Sequence, residues 1–240
     1  MVKDSLRTIA IVVAAGSGSR YGGDVPKQFL ELDGMPVLAH SVFAFSKVFP
    51  ECELFIVLSA DGVWRWNDFC RSRSDVPQHT VVEGGATRTD SVANAVKAAA
   101  KLPHFGSSVI MVHDGARPMI GRDLLVALHS ESAKGHASAP ALEISDSMVE
   151  FRNDDITCVR RDRFRTVQTP QVFPGDALAE AFGRYESDTT PPSLTDDISL
   201  VRHYVPELPV ALVPGSRSNL KITRRGDLEL ALFYLAHPLC

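Results

Sequence analysis

Four short segments place hydrogen-bond donors and charged side chains at a spacing that suits a polyphosphate. The first is Ala14-Ala15-Gly16-Ser17-Gly18-Ser19-Arg20, with Pro26-Lys27-Gln28-Phe29-Leu30 close behind. Glycines after a strand let backbone N–H groups approach a phosphate closely, and Arg20 and Lys27 add the charge that a triphosphate demands. Two common phosphate loops are excluded by spacing. There is no Gly-Lys-Ser/Thr ending for a P-loop, and Tyr21 stands where the dinucleotide fingerprint needs its third glycine.

The second segment is Glu83-Gly84-Gly85-Ala86-Thr87-Arg88-Thr89-Asp90-Ser91, a Gly-Gly turn entering a helix whose first turns offer hydroxyls and an arginine. It is suited to holding a nucleoside by backbone contacts, although alone it reads equally as a turn and a helix cap. The third is His113-Asp114-Gly115-Ala116-Arg117-Pro118. Asp114, at the carboxyl end of a strand, can hold Mg²⁺, which takes hard oxygen ligands and shares them with substrate phosphates. It can also cap the next turn, and His113 reads as packed or locally hydrogen-bonded rather than catalytic. The fourth, Asn219-Leu220-Lys221-Ile222-Thr223, puts one lysine in a short apolar strand. Burial there is costly unless an anion meets it, and an edge lysine reaching into solvent is the plainer alternative.

These segments need a scaffold. Ile9-Ala10-Ile11-Val12-Val13 is a continuous β-rich run, as expected of a parallel strand buried on both faces. Runs of the same kind are Leu54–Leu58, Thr80–Val82, Val109–Val112 and Val210–Val213. Helical patterns lie between them. Pro36 fits a first helical position, with Val37, Leu38, Ser41, Val42 and Phe45 in an i, i+3/i+4 rhythm. Thr89 or Asp90 opens an Ala-rich helix to Lys101, and Arg224 to Ala236 closes the chain's pattern. The expectation is an α/β fold: a mostly parallel twisted sheet with helices on both faces and ligands beyond the carboxyl ends of the strands. A polar, arginine-rich stretch from about 142 to 166 breaks the rhythm and reads as a protruding hairpin arm on a single 1–240 domain.

The bulk numbers agree with that reading. The 240 residues are 45% hydrophobic and 22% charged, enough for a sizeable core. A formal charge of -4 argues against broad nucleic-acid binding, while a small anion needs only a local cluster of cations. The apolar run Ile9 to Ala15 is too short for a signal sequence or a membrane span. Cys52, Cys70, Cys158 and Cys240 are scattered, with no CxxC pair, so neither a disulfide framework nor a zinc knuckle is expected and a cytoplasmic setting is.

In order, AAGSGSRYGGDVPKQFL, EGGATRTDSV, HDGARP, TPQVF, LTDD and NLKIT run from Ala14 to Thr223, and together they resemble the 2-C-methyl-D-erythritol 4-phosphate cytidylyltransferase family of the non-mevalonate isoprenoid pathway. The resemblance implies a Rossmann-like fold, a homodimer whose arms reach the partner's site, and Mg²⁺-dependent transfer of CMP from CTP with release of pyrophosphate. Ala14, Ala15, Gly85 and Ser91 would hold cytosine, largely through backbone groups, with Arg88 among the nucleotide contacts. Gly16, Arg20, Lys27 and Lys221 would surround the triphosphate, the three cations acting catalytically, and Asp114 would contact the metal. Arg117, Ser147, Arg161, Thr169, Thr195 and Lys221 would be candidates for the methylerythritol phosphate.

Four positions depart from the family's usual pattern: Ala86 for Asp, Gly115 for Ala, Ser147 for Thr, and Val149 where lysine is frequent. The alternatives are a ribitol 5-phosphate cytidylyltransferase, which shares the glycine loop and terminal lysine, and a non-catalytic nucleotide-binding module.

Overall fold

The computed structural model describes residues 6–16, 18, 21–22 and 25–237. In chain order the elements are β1 (Thr8–Ala14), β2 (Glu31–Leu32), β3 (Met35–Pro36), α1 (Val37–Val48), β4 (Glu53–Leu58), α2 (Ala60–Arg71), β5 (His79–Glu83), α3 (Arg88–Ala99), β6 (Val109–Asp114), α4 (Arg122–Ser132), β7 (Ala137–Glu143), β8 (Met148–Arg152), β9 (Asp155–Val159), β10 (Arg165–Val167), β11 (Gln171–Pro174), α5 (Gly175–Ser187), α6 (Asp197–Tyr204), β12 (Val210–Pro214) and α7 (Arg225–Ala236). Eight strands form one sheet in the order β10-β7-β11-β6-β1-β4-β5, with β12 also paired to β7. β1 is flanked in parallel by β4 and β6, and β5 continues the parallel set. β11 runs antiparallel to β6 and β7.

The side-chain alternation of β1 explains its continuous apolar run. Ile9 and Ile11 pack with Val92 and Val96 of α3, Phe182 of α5 and Leu200 of α6. Ala10 and Val12 face the other way, onto Leu38 and Phe45 of α1, Trp66 of α2 and Leu125 of α4. Helices therefore cover both faces, which is why every residue of the run must be apolar. A third, small cluster joins α7 to the loops of interest: Leu32, Val37, Ile222 and Ala231 are buried together, with Tyr21, Leu30 and Leu220 against them.

Three local expectations are corrected. α3 begins at Arg88, capped by Thr87, whose Oγ1 accepts the Asp90 N–H while the Asp90 carboxylate accepts the Thr87 N–H. Asp90 completes this reciprocal cap and does not open the helix. Pro36 caps α1 rather than serving as its first residue. The segment 219–223 is not a strand; of its N–H groups, Ile222 donates to Ala116 O at 2.8 Å and Asn219 closes a turn on Ser216 O.

The arm is a hairpin of β8 and β9, paired from Met148↔Val159 to Arg152↔Asp155. Its tip, Asn153 and Asp154, has φ of 49° and 63°. Two successive left-handed residues give the turn whose twist matches the strands, and Asn and Asp tolerate that region best among side chains with a Cβ. Residues 141–143 and 165–167 still pair with each other in the main sheet, so the hairpin projects over about 144–164.

Candidate active site

A cavity of about 550 Å³ opens at the carboxyl ends of β1, β5 and β6. Ala14, Ala15, Gly16, Lys27, Gly85, Arg88, Ser91, Asp114 and Lys221 line it together, from four separate segments of the chain. Arg20 lies outside the described residues. Ala86 also faces the cavity.

Two glycine segments form the walls, and each is held in place by a side chain. Buried Gln28 donates from Nε2 to the carbonyls of Ala14 at 2.7 Å and Gly16 at 3.0 Å. On the other wall the Ser91 hydroxyl accepts the Gly85 N–H at 3.0 Å and donates to Thr87 O at 2.8 Å. The walls touch. A Cβ on Gly84 would lie 2.4 Å from the Ala15 Cβ, and one on Gly85 would lie 2.4 Å from the Asp90 Cβ. Gly84 is thus required by close approach between segments nearly seventy residues apart, and Gly85 by close approach to the first turn of α3.

The floor is an ion cluster. Asp114 Oδ1 accepts from Arg88 Nε at 3.1 Å and Oδ2 accepts from Lys221 Nζ at 2.7 Å, with Arg117 Nε 3.8 Å from Oδ2. Burial alone would raise the Asp114 carboxyl, but the charges of Arg88, Lys221 and Arg117 overrule it and hold the group well below the usual carboxylate range. The remaining guanidinium nitrogens of Arg88 donate to Asp197, at 3.1 and 2.8 Å. Asp197 is buried, and within its LTDD segment no local spacing marks it for this role.

Beneath Asp114 a neutral chain of hydrogen bonds fixes the strand end. The Asp114 N–H donates to Thr169 Oγ1 at 3.0 Å. Thr169 Oγ1 lies 3.1 Å from His113 Nδ1, and His113 Nε2 lies 3.1 Å from Arg117 O. A carbonyl only accepts, so Nε2 carries the proton and Nδ1 accepts from the threonine hydroxyl. Burial lowers the His113 pKa to about 4. His113 is therefore locally hydrogen-bonded, as its sequence context indicated.

The candidates for the second substrate divide. Lys221 faces the cavity. Thr169 is buried with its hydroxyl committed to His113 and Asp114. Arg117 donates from a terminal guanidinium nitrogen to Asn219 O at 2.8 Å, bracing the segment that carries Lys221. Thr195 is exposed just before α6, and Ser147 and Arg161 are exposed on the arm, where Arg161 reaches Ser145 O. These last three do not line the cavity of their own chain.

Among the described residues, no group of three or more His, Cys, Asp or Glu side chains could hold a metal ion. Asp114 is a single carboxylate with two of its roughly four lone-pair sites taken by N–H donors. That fits a Mg²⁺ which takes its other oxygens from phosphates and water, and it does not fit an all-protein metal cage.

The family model of IspD, 2-C-methyl-D-erythritol 4-phosphate cytidylyltransferase, matches residues 8–237. The chain belongs to that family. A cytidylyltransferase of that name from Azobacteroides pseudotrichonymphae is 37% identical over 92% of this chain and 95% of its own, and one from Porphyromonas gingivalis is 36% identical over 94% and 96%. Among solved structures, 4-diphosphocytidyl-2C-methyl-D-erythritol synthase from Anaerococcus prevotii superposes with a TM-score of 0.80 at 27% identity, covering 98% of this chain and all of the other. The Thermus thermophilus cytidylyltransferase gives 0.73 at 28% identity, covering 94% and 98%. This cytidylyltransferase is thus a nucleotidyltransferase of the non-mevalonate isoprenoid route, moving CMP from CTP to methylerythritol phosphate. Neither the ribitol phosphate nor the non-catalytic alternative is favoured. Among the described residues no helix is long and apolar enough to cross a membrane.

Proposed function

We propose that this cytidylyltransferase works by positioning and charge neutralisation around CTP in the cavity between the two glycine walls. The observation that carries the reading is the convergence of Lys27, Arg88, Asp114 and Lys221 in one cavity. The backbone of Ala14, Ala15 and Gly85 would read the cytosine, and Gly16, Arg20, Lys27 and Lys221 would surround the phosphates. An oxygen of the acceptor phosphate forms a bond to the α-phosphorus of CTP as the bond to the departing pyrophosphate breaks in line. The attacking oxygen is already anionic, so no general base is needed, and stabilisation of a crowded negative transition state is the main task. Mg²⁺, held by Asp114 and the phosphates, would add charge neutralisation there.

The acceptor side is completed by a second copy of the chain. Ser147 and Arg161 do not line their own cavity, and the arm carries exposed Val149, Phe151 and Ile156, at 53%, 66% and 60%. Apolar residues exposed on a two-stranded hairpin support a partner surface. Thr169, with its hydroxyl committed to Asp114 and His113, shapes the floor, while Arg117 would meet the acceptor phosphate through guanidinium nitrogens not taken by Asn219. A cytoplasmic setting is supported by the unpaired thiols of Cys52, Cys70 and Cys158.

The test is pyrophosphate release with Mg²⁺, each of the four nucleoside triphosphates, and methylerythritol or ribitol phosphate. CTP with methylerythritol phosphate should be strongly preferred, and Lys27→Ala should lower kcat by roughly 10²–10³-fold with the circular-dichroism spectrum unchanged. Equal turnover of UTP, conceivable with Ala86 in the slot, or a loss below about tenfold in the variant, would sink the reading.

A further inference from the structure

Asp197 is a buried carboxylate beside the active site that the reaction as described does not use. Its side chain is 1% exposed and stands first in α6, where the helix N-terminus favours a negative charge. Both of its oxygens are occupied by the terminal nitrogens of Arg88. Arg88 meets Asp114 through Nε alone. A guanidinium facing one carboxylate alone adopts the two-point pairing, which here would cover both oxygens of Asp114 and compete with Lys221 for Oδ2.

The two carboxylates are registered by one stretch of chain. Thr169 holds the Asp114 N–H. Two residues on, buried Gln171 donates to Asp196 Oδ2 at 2.7 Å and accepts the Ile198 N–H at 2.8 Å, fixing the start of α6 on either side of Asp197. Arg88 spans the gap so defined, and its 27% exposed side chain lines the cavity.

We propose that Asp197 is a positioning residue for nucleotidyl transfer: it holds the Arg88 guanidinium in a one-point contact with Asp114, so that the second Asp114 oxygen stays with Lys221 on the substrate side. The assignment rests on the nucleotide role of this cavity. The two fail separately, because an inactive wild type or a fully active Lys27→Ala overturns that role, whereas Asp197 is tested by coupling.

Asp197→Asn keeps the shape and removes the charge. With CTP and methylerythritol phosphate saturating, it should lower kcat per folded molecule about tenfold, and Arg88→Met should lower it at least as much. The double variant should match Arg88→Met within about twofold, because Asp197 acts through Arg88. Losses that multiply, or an Asp197→Asn enzyme with wild-type kcat, overturn the proposal. If Asp197→Asn does not fold, Arg88→Lys decides: a lysine keeps the charge but cannot bridge two carboxylates. Its kcat should fall to that of Arg88→Met, and a wild-type value overturns the assignment.

Discussion

A histidine sealed from water must stay neutral or give up part of the fold's stability. His113 is fully buried, with Phe45 packed edge-on to its ring and both ring nitrogens committed. Its pKa falls from 6.5 to about 4, chiefly through burial. At pH 7 it is neutral in the folded protein and mostly neutral in the unfolded chain, so the group has little linkage effect. Between about 6.5 and 4 the unfolded chain takes up a proton that the folded one refuses, and stability is lost as pH falls through that window. The loss should reach roughly 3 kcal/mol at the acid end, at about 1.4 kcal/mol per pH unit. Urea unfolding at pH 7 and pH 5 should show the drop, and His113→Gln, though less stable overall, should show a shallower one. Equal slopes in the two proteins would remove His113 as the cause.

At the scale of elements, the glycine walls give a sharper expectation. Gly84→Ala forces a methyl into a 2.4 Å approach to the Ala15 Cβ, so the two walls must part. Overpacking of this kind costs about 1–3 kcal/mol, and CTP affinity should fall with it because the slot widens. Gly183→Ala on α5, where a Cβ meets nothing within 4 Å, is the control and should be neutral or stabilising. Calorimetric CTP titration beside urea midpoints would measure both, and wild-type CTP binding by Gly84→Ala would refute the close-fitting slot.

The same scale shows what could be read in advance. β1, β4 and β6 announce themselves as apolar runs because helices bury both of their faces, while β5 and β12 read as apolar runs although no residue of either is buried. β7, Ala-Ser-Ala-Pro-Ala-Leu-Glu, has a composition poor for strands, and pairing with β10, β11 and β12 makes it one. The site divides likewise. Lys27, Asp114 and Lys221 sit in local motifs that spacing alone exposes. The Arg88–Asp197 pair joins residues 109 apart, and Gln28 acts only because the loop folds back over it, so neither leaves a local signal.

For the whole molecule the arm sets the expectation. Lys27→Ala and Arg161→Ala should each be nearly inactive. If the partner subunit's Arg161 completes the cavity, random mixing of the two variants makes half the dimers mixed, each with one intact site. Activity should then recover to about a quarter of wild type, following two-fold symmetry. If Arg161 served its own chain, no combination would hold an intact site. That quarter is for the unfractionated mixture; mixed dimers isolated through two different affinity tags, each with one intact site of two, should show about half the wild-type specific activity, and a value no higher than either parent rejects the shared site.

The ion cluster has a consequence beyond the chemistry. A chain of formal charge -4 repels a nucleoside triphosphate from a distance. Yet among the described residues Arg88, Arg117 and Lys221 surround Asp114 and Asp197 at one concavity that Lys27 also lines, so the cations there outnumber the carboxylates they meet. Low-dielectric walls focus such a field, so diffusing polyanions are turned away from most of the surface and drawn towards one entrance. That guidance fades as dissolved ions shorten its range to about 8 Å at physiological ionic strength, which makes the capture rate of CTP, more than its turnover once bound, the quantity most sensitive to salt.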